Sequence, residues 1–576
     1  MLLEKLCEYS QRLEDLAPFG YDKTTIRWLI NLDAEGNCLP PLIPTSSGRK
    51  NDRGKVFFAP AVMKSVNVKA SLLVGNGEYV LGKPRPSSKS ERVAKCHNAF
   101  VKEIRDCAKS LGSPHLQAVL RFLESLDQNT LPLPEDFDPS LNLTFQVEGI
   151  FPIDLPEVRA YWAKIQGGDQ CTDIPSNLSQ CLVCSTDCIP IERMPIKIKG
   201  IPGGQPSGMA LVSANARAFE SYGLKASLIA PLCRDCAERS AKAANALRQK
   251  EDSHLVVGSL VYLFWTLEPA GFNIASLFSH PQAEDVRALI KSARSGKPFA
   301  ALDTQAFYAT ALSASGGRVV VRDWLETTVG QVKGHLARWF ALQNLVDWDG
   351  AEGKPYGLFT LALGLIPQKG DMQRDLPPNA PRAMLKAALQ GGPLPSWIMF
   401  QAIRRNRAEQ QLTRPRAALI KMVLLSQQKI FQEDAMVQLD AGNQHPGYLC
   451  GRLLAVLERI LMLAVSPRAT LIERFYGTAS TAPASVFSRL LKGAQAHLGK
   501  LRKERFGAYS ALQSRLEEVM GNLSGFPKVL TLEEQGWFSL GYYHQRSWDR
   551  AQAKARKEEQ VPGEEAVVEE TPTEEK

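Results

Sequence analysis

Two Cys-x-x-Cys pairs, Cys181/Cys184 and Cys233/Cys236, enclose a lysine- and glycine-rich stretch, KIKGIPGGQPSG (197–208). A Cys-x-x-Cys turn lets two thiolates reach one metal ion, and two such turns complete a closed tetrahedral site. The spacing predicts one structural Zn²⁺ on Cys181, Cys184, Cys233 and Cys236, pinning an excursion of 48 residues at its base. Cys171 and Cys188 are nearby spares. The alternative is a set of small buried cysteines that bind nothing. Of the 11 cysteines, six fall within 171–236, and such a cluster in a long chain argues for metal rather than disulfides. A zinc-stapled nuclease would place histidines between the knuckles, and none occurs from 185 to 232. Four thiolates also leave no open coordination position for a catalytic water.

The enclosed loop has its own logic. Lys197 and Lys199 alternate, so on an extended chain both point to one face. Gly200, Gly203, Gly204 and Gly208 permit positive φ and close backbone approach. Gln205 and Ser207 supply donors and acceptors at the tip. Such a loop can enter a DNA groove and meet base edges, or it can be an ordinary surface hairpin. It is not a phosphate-binding P-loop, since no G-x-x-x-x-G-K-[ST] is present.

Charge points the same way. The net charge is +9, yet residues 558–576 hold eight Glu and one Lys, so the rest of the chain carries +16. A positive body suits a polyanion. Segment 47–89 holds nine of the cations, including Lys64 and Lys69, and only two acids. Polar Asn67, Ser71 and Asn76 interleave with them, as on a phosphate-tracking surface or a solvated loop. Arg404, Arg405, Arg407, Arg414 and Arg416 form a further basic run, read as a strand-supporting face or a plain solvated one. No nucleophile elbow, H-E-x-x-H or Rossmann fingerprint occurs, which lowers the case for an enzyme. No N-terminal secretory pattern or membrane-length apolar run is visible, so cytoplasmic residence is the expectation.

The expected fold class is α+β: a mixed α/β N-terminal region (1–370) with an inserted zinc-stapled segment (about 171–236), then an all-α helical bundle (371–557). An acidic disordered tail (558–576) follows. Residues 1–35 read as helical. Runs KVFFAP, SLLVG and EYVLG read as short strands. Helices are expected at Ser90–Leu111 and 114–126, and strands in LTFQVEGIF, MALVSAN, LVVGSLVYLFWTLE and GGRVVVRDWL. Bundle helices are expected at about 382–390, 395–411, 415–432, 447–465, 468–476, 484–500, 503–522 and 531–557.

Four blocks together resemble one family: KASLLVGNGEYVLG (69–82), IKIKGIPGGQPSGMALVSANARAFESYGLKASLIAP (196–231), FYATALSASGGRVVVRDW (307–324) and PGYLCGRLLAVLERI (446–460). The chain is similar to the large subunit of the type I-C CRISPR surveillance complex, Cascade. The resemblance implies a non-catalytic subunit of an antiviral, guide-RNA (crRNA)-bearing complex in a prokaryotic cytoplasm. It would read the protospacer-adjacent motif (PAM) on target double-stranded DNA, aid unwinding, stabilise the displaced strand of the R-loop and recruit the helicase-nuclease. Its other partners would be the Cascade backbone and RNA-end-capping subunits. A small subunit, matching the C-terminal bundle, would be made from an internal start, with Met436 the first candidate and Met422 the second. On this reading Lys64, Asn67, Lys69, Ser71, Asn76, Lys197, Lys199, Gly203, Gly204, Gln205 and Ser207 meet DNA. The alternatives are a zinc-stabilised nuclease and a scaffold without direct DNA contact.

Overall fold

The structure, a computed structural model, describes residues 1–559 except 40–41, 47–51, 63–67, 87, 127–130, 168–177, 269–272, 295–302, 372–374, 378 and 429–434. Lys64, Asn67, Arg49, Lys50, Cys171 and residues 560–576 of the acidic tail lie outside the described residues. The chain divides into two compact units. The first is Met1–Gln249 with the turn Leu312–Val321; the second is Lys250–Ala311 with Arg322 onward. Residue 370 thus falls inside the second unit. Leu358, Leu361, Leu365 and Ile366, just before it, are buried in the same core as the bundle helices that follow.

The first unit opens with α1 (Leu2–Ser10), β1 (Tyr21–Ile26), β2 (Trp28–Leu32), β3 (Ile43–Pro44), β4 (Lys55–Pro60), β5 (Gly75–Asn76) and α2 (Gly77–Val80). Then come α3 (Ser90–Leu111), α4 (Pro114–Ser125), β6 (Asn142–Val147), α5 (Pro156–Gly167), β7 (Ser179–Gln180), β8 (Asp187–Cys188) and α6 (Arg234–Gln249). A four-stranded sheet has the order β3-β2-β6-β5, with β2 and β6 parallel from Trp28↔Leu143 to Leu32↔Val147. Its apolar side chains pack on α3 and α4. Phe145 stacks on Phe100 at 6.4 Å and meets Phe122 edge-on at 6.1 Å. Residues Val93, Cys96, Phe100, Ile104 and Cys107 form the buried stripe of α3, at helical spacing.

Four local expectations fail here. SLLVG (71–75) is not a strand, only its Gly75 entering β5, and MALVSAN (209–215) makes isolated bridges at Met209, Ala210 and Ala214 instead of a strand. The first 35 residues are not one helix: α1 stops at Ser10, and 21–32 form strands. Gly20 sits at φ +76°, a break after Pro18, and the Thr24-Thr25-Ile26 run is β-branched. EYVLG is not a strand but the turn α2. The Asn76 side chain accepts the Glu78 and Tyr79 N–H groups at 3.2 and 3.3 Å, an N-cap that starts a helix.

The second unit carries a sheet of order β12-β11-β10-β9 from β9 (His254–Val257), β10 (Leu260–Thr266), β11 (Ala306–Ser315) and β12 (Arg318–Thr328). Around it stand α7 (Ile274–Ser279), α8 (Ala283–Arg294), α9 (Val329–Gln343) and α10 (Leu358–Leu363). The bundle follows: α11 (Asn379–Gln390), α12 (Ser396–Glu409), α13 (Arg414–Ser426), α14 (Pro446–Val465), α15 (Leu471–Ala479), α16 (Phe487–Glu504), α17 (Phe506–Gly521) and α18 (Leu532–Glu559). These eight match the expected stretches within a few residues at most ends, so an α/β N-terminal region and a helical C-terminus are both present. Helix α14 is the hub. Gly451 lets it approach α18 so closely that a Cβ there would stand 2.0 Å from the Phe538 carbonyl oxygen.

The bundle has buried charge that the sequence pattern placed outside. Arg414 and Arg416 are not part of a solvated basic face. The Arg414 guanidinium donates to the Leu345 and Lys354 carbonyls at 2.9 and 3.0 Å, and Arg416 to the Gly364 carbonyl at 3.0 Å. Arg452 is also buried, donating to Gln545 and Glu518. Guanidinium donors satisfy carbonyls that helix ends leave free.

His544 of α18 is fully buried, its Nδ1 paired with the Tyr448 hydroxyl at 2.9 Å. Burial pushes its pKa down to about 3. Unfolded, the imidazole titrates near 6.5, so between about pH 6.5 and 3 the unfolded chain binds one proton more. Stability is therefore lost as pH falls below about 6.5, at about 1.4 kcal/mol per pH unit from this group. His544→Phe is expected to remove one proton's worth of that slope in urea unfolding between pH 7.5 and 5. An unchanged slope would contradict the assignment.

Candidate metal centre and nucleic-acid interface

The first cysteine knuckle is a tight hairpin. Strands β7 and β8 pair antiparallel, Ser179 opposite Cys188. Between them the Cys181 N–H donates to the Thr186 carbonyl (2.9 Å) and the Ser185 N–H to the Cys181 carbonyl (3.0 Å). The second knuckle opens α6: the Cys233 carbonyl accepts the Ala237 N–H at 3.1 Å, so Cys236 lies in the first helical turn. Backbone bonds dock the two knuckles, Leu182 N–H to Pro231 and Ile191 N–H to Leu232, both at 3.0 Å.

The four sulfurs of Cys181, Cys184, Cys233 and Cys236 lie within 4.8 Å of one another. A tetrahedral site with metal–sulfur bonds of about 2.3 Å has sulfur–sulfur edges of about 3.8 Å. The Cys184 and Cys233 sulfurs are 3.8 Å apart. Two backbone donors already point at sulfur, Cys233 N–H at Cys181 (3.3 Å) and Cys236 N–H at Cys233 (3.4 Å). Such bonds, with the positive end of α6, favour thiolate. The Thr186 hydroxyl beside Cys184 holds that thiol down at about 6. Burial pushes Cys233 up to about 11 and Cys236 well above the usual thiol range. A divalent ion is the charge that reverses that burial effect. The four cysteines can therefore hold a metal ion; Cys188, whose sulfur donates to the Ser179 carbonyl, lies beside Cys181 but is not one of the four.

Helix α6 links this centre to the glycine loop. Its N-terminal end carries Cys233 and Cys236, and its last turns carry Asn245 and Arg248, about 14 and 18 Å along the axis from Cys236. The Asn245 side chain accepts the Lys199 N–H (3.0 Å) and donates to the Lys197 carbonyl (2.9 Å). Arg248 donates to the Gly200 carbonyl at 3.2 Å. Ile198 and Met209 exchange both backbone bonds, 2.8 and 2.9 Å, and close the loop 199–208. The expected alternation is present, with Ile196 and Ile198 buried and Lys197 and Lys199 exposed. Gly208 sits at φ +85°, and a Cβ there would stand 2.9 Å from the Ile198 carbonyl oxygen. The sequence requires glycine at that corner.

At the loop tip Gly203 (φ +72°), Gln205 and Ser207 are exposed, and Gly204 is half-buried with its N–H bonded to the Ile201 carbonyl. The turn of the β11–β12 hairpin lies beside it. Ala210 bonds Gly317 and Val319, and the space over Gly317 is bordered by the Gln205 amide nitrogen at 3.7 Å. The Arg318 guanidinium lies over the Phe219 ring at 3.3 Å.

The other expected DNA contacts stand on different elements. Lys69 is exposed. The Ser71 hydroxyl donates to the Pro60 carbonyl, and Asn76 caps α2 with its Oδ1. Arg85 is paired with the buried Glu78 at 2.7 Å. Sequence reasoning missed Asn245, Arg248 and Arg318. The first two reach back about 48 residues to the loop, a pairing with no local signal. Their i, i+3 placement beyond a helix-borne knuckle was the one available hint.

Among the described residues no helix is long and apolar enough to cross a membrane. No curated protein matches the chain. The family described as CRISPR-associated protein (Cas_Csd1) matches residues 6–549, from α1 into α18. A match of that extent, over both units, makes this chain a member of the CRISPR-associated Csd1 family, the large subunit of type I-C Cascade.

Proposed function

We propose that this subunit recognises the protospacer-adjacent motif on duplex DNA through the 199–208 loop. The observation that supports it most is the clamp on that loop. Asn245 and Arg248 hold its base from a helix seated on the cysteine centre, while Lys197, Lys199, Gln205 and Ser207 stand exposed. A rigid backbone with exposed donors is what groove reading needs. Lys197 and Lys199, with Lys64 and Lys69, hold phosphates. The backbone at Gly203 and Gly204, with Gln205 and Ser207, meets base edges. Asn67 adds a polar contact, as do Ser71 and Asn76 from the N-terminal sheet region.

Base pairing with the guide RNA then reads the target beyond the motif. The subunit aids unwinding, stabilises the displaced strand, joins the backbone and RNA-end-capping subunits and recruits the helicase-nuclease, without catalysis of its own. The cysteines hold one structural Zn²⁺, whose preference for four thiolates in a tetrahedron matches the donor set. The small subunit starts internally at Met436. That residue lies between α13 and α14 and leaves α14–α18 whole, whereas Met422 is fully buried inside α13.

In the assembled complex, Lys199→Ala is expected to lower the salt slope of duplex binding by about 1. Gln205→Ala is expected to narrow the discrimination between correct and altered motifs by about 1–3 kcal/mol. Target binding unchanged in both variants would contradict the site.

A further inference from the structure

Beside the glycine loop stands a second finger. Ala214 pairs with Ala226 and Ser221 with Leu224, and the turn between them is Tyr222-Gly223. Both turn residues have positive φ, +51° and +75°, as a two-residue hairpin turn of type I′ demands. Gly, Asn and Asp fill the first position of such a turn at little cost; a bulky tyrosine there is strained. Packing does not explain the choice, because Tyr222 is 99% exposed. Phe219 and Leu224, on the same finger, are 40% and 38% exposed. Three large apolar side chains on one short hairpin form a patch rather than scattered singles. Arg217 and Lys225 are exposed on it, against one half-buried acid, Glu220.

The finger and the loop are neighbours. Gly317 borders Gln205 of the loop, and the next residue, Arg318, stacks on Phe219 of the finger. A duplex held at the loop therefore has beside it a finger that carries the exposed Tyr222 and two exposed cations. That is the composition of a base-stacking platform for single-stranded nucleic acid.

We propose that Tyr222 stacks on the first unpaired base where the duplex opens beside the glycine loop, and so favours strand separation. The inference rests on the loop's engagement of duplex DNA, and adds an opening step to it. Stacking of one base on an aromatic ring is worth about 1–3 kcal/mol, so its loss reads as roughly a tenfold slowing or more.

The test uses the assembled complex carrying Tyr222→Ala or Tyr222→Trp. Because the ring touches nothing in its unit, both variants keep the fold. R-loop formation is followed by 2-aminopurine fluorescence at the first protospacer position, on a full duplex and on a target with its first few pairs pre-opened. Tyr222→Ala is expected to slow opening of the duplex about tenfold, with Tyr222→Trp near the wild-type rate. On the pre-opened target all three should agree within about twofold. Wild-type opening rates in Tyr222→Ala overturn the proposal, and so does equal slowing on both targets. Failure of the motif reading is visible separately, as wild-type capture of duplex that ignores the motif.

Discussion

Replacing Cys181 and Cys233 together by serine is expected to abolish bound metal and lower duplex affinity of the assembled complex at least a hundredfold. The reason is the lack of any other core around the loop. None of the residues from 178 to 232 belongs to either of the two large hydrophobic clusters. The buried apolar residues there, such as Ile196, Ile198, Ile201 and Met209, are few and scattered. Order in this stretch rests on backbone bonds, on the Asn245 and Arg248 clamp and on the four sulfurs. Structural zinc contributes about 10–16 kcal/mol in small peptides that have no other core. A fraction of that, about 3 kcal/mol, would account for a hundredfold loss. Elemental analysis should give one zinc per wild-type chain and none in the variant, while the bundle stays folded. A metal-free wild type with the same melting temperature and affinity would remove the staple from the account.

The second large effect comes from α6 itself. Glu238 and Lys242, one turn apart, are 3% and 7% exposed and pair at 3.2 Å. The Glu238 carboxylate also accepts the Gly20 N–H at 3.0 Å and pairs with Arg234 at 3.1 Å. Lys242 donates to the Ala17 and Pro18 carbonyls. Burial lowers the Lys242 pKa, the Glu238 charge working against that shift. Removing the acid leaves a buried ammonium with no carboxylate bonded to it, Asp22 and Asp235 acting only from farther off. Glu238→Ala is expected to cost about 3–5 kcal/mol, the usual size for breaking a buried pair. Pairing it with Lys242→Met should recover much of the loss, since no buried ammonium is then left without its carboxylate. Hydrogen exchange across α6 is the readout. If the double variant is no more protected than Glu238→Ala alone, the charge argument fails and packing is the cause.

The sequence displays the first of these contacts, the cysteine cluster, and not the second, the Glu238–Lys242 pair. The legible parts were those with a local code. The bundle helices announce themselves by apolar spacing, as in the α14 stripe through Leu449, Leu453, Val456 and Ile460. The knuckles announce themselves by Cys-x-x-Cys, and the corner at Gly208 by its residue type. The N-terminal strands were illegible because α1 and the segment after it share a leucine rhythm that Gly20 interrupts. EYVLG has strand-like residues, yet one cap at Asn76 decides it. Arg414 and Arg416 read as surface because their carbonyl partners at Leu345, Gly364 and Ile366, 50 to 69 residues away, carry no sequence mark. The clamp by Asn245 and Arg248 belongs to the same class.

The most direct measurement replaces Gln205 by a photoreactive benzoylphenylalanine in the assembled complex with target duplex. Crosslinks confined to the base pairs flanking the protospacer are the predicted result. Crosslinks only to partner subunits or guide RNA, with duplex binding intact, would contradict the claim that this loop reads the duplex.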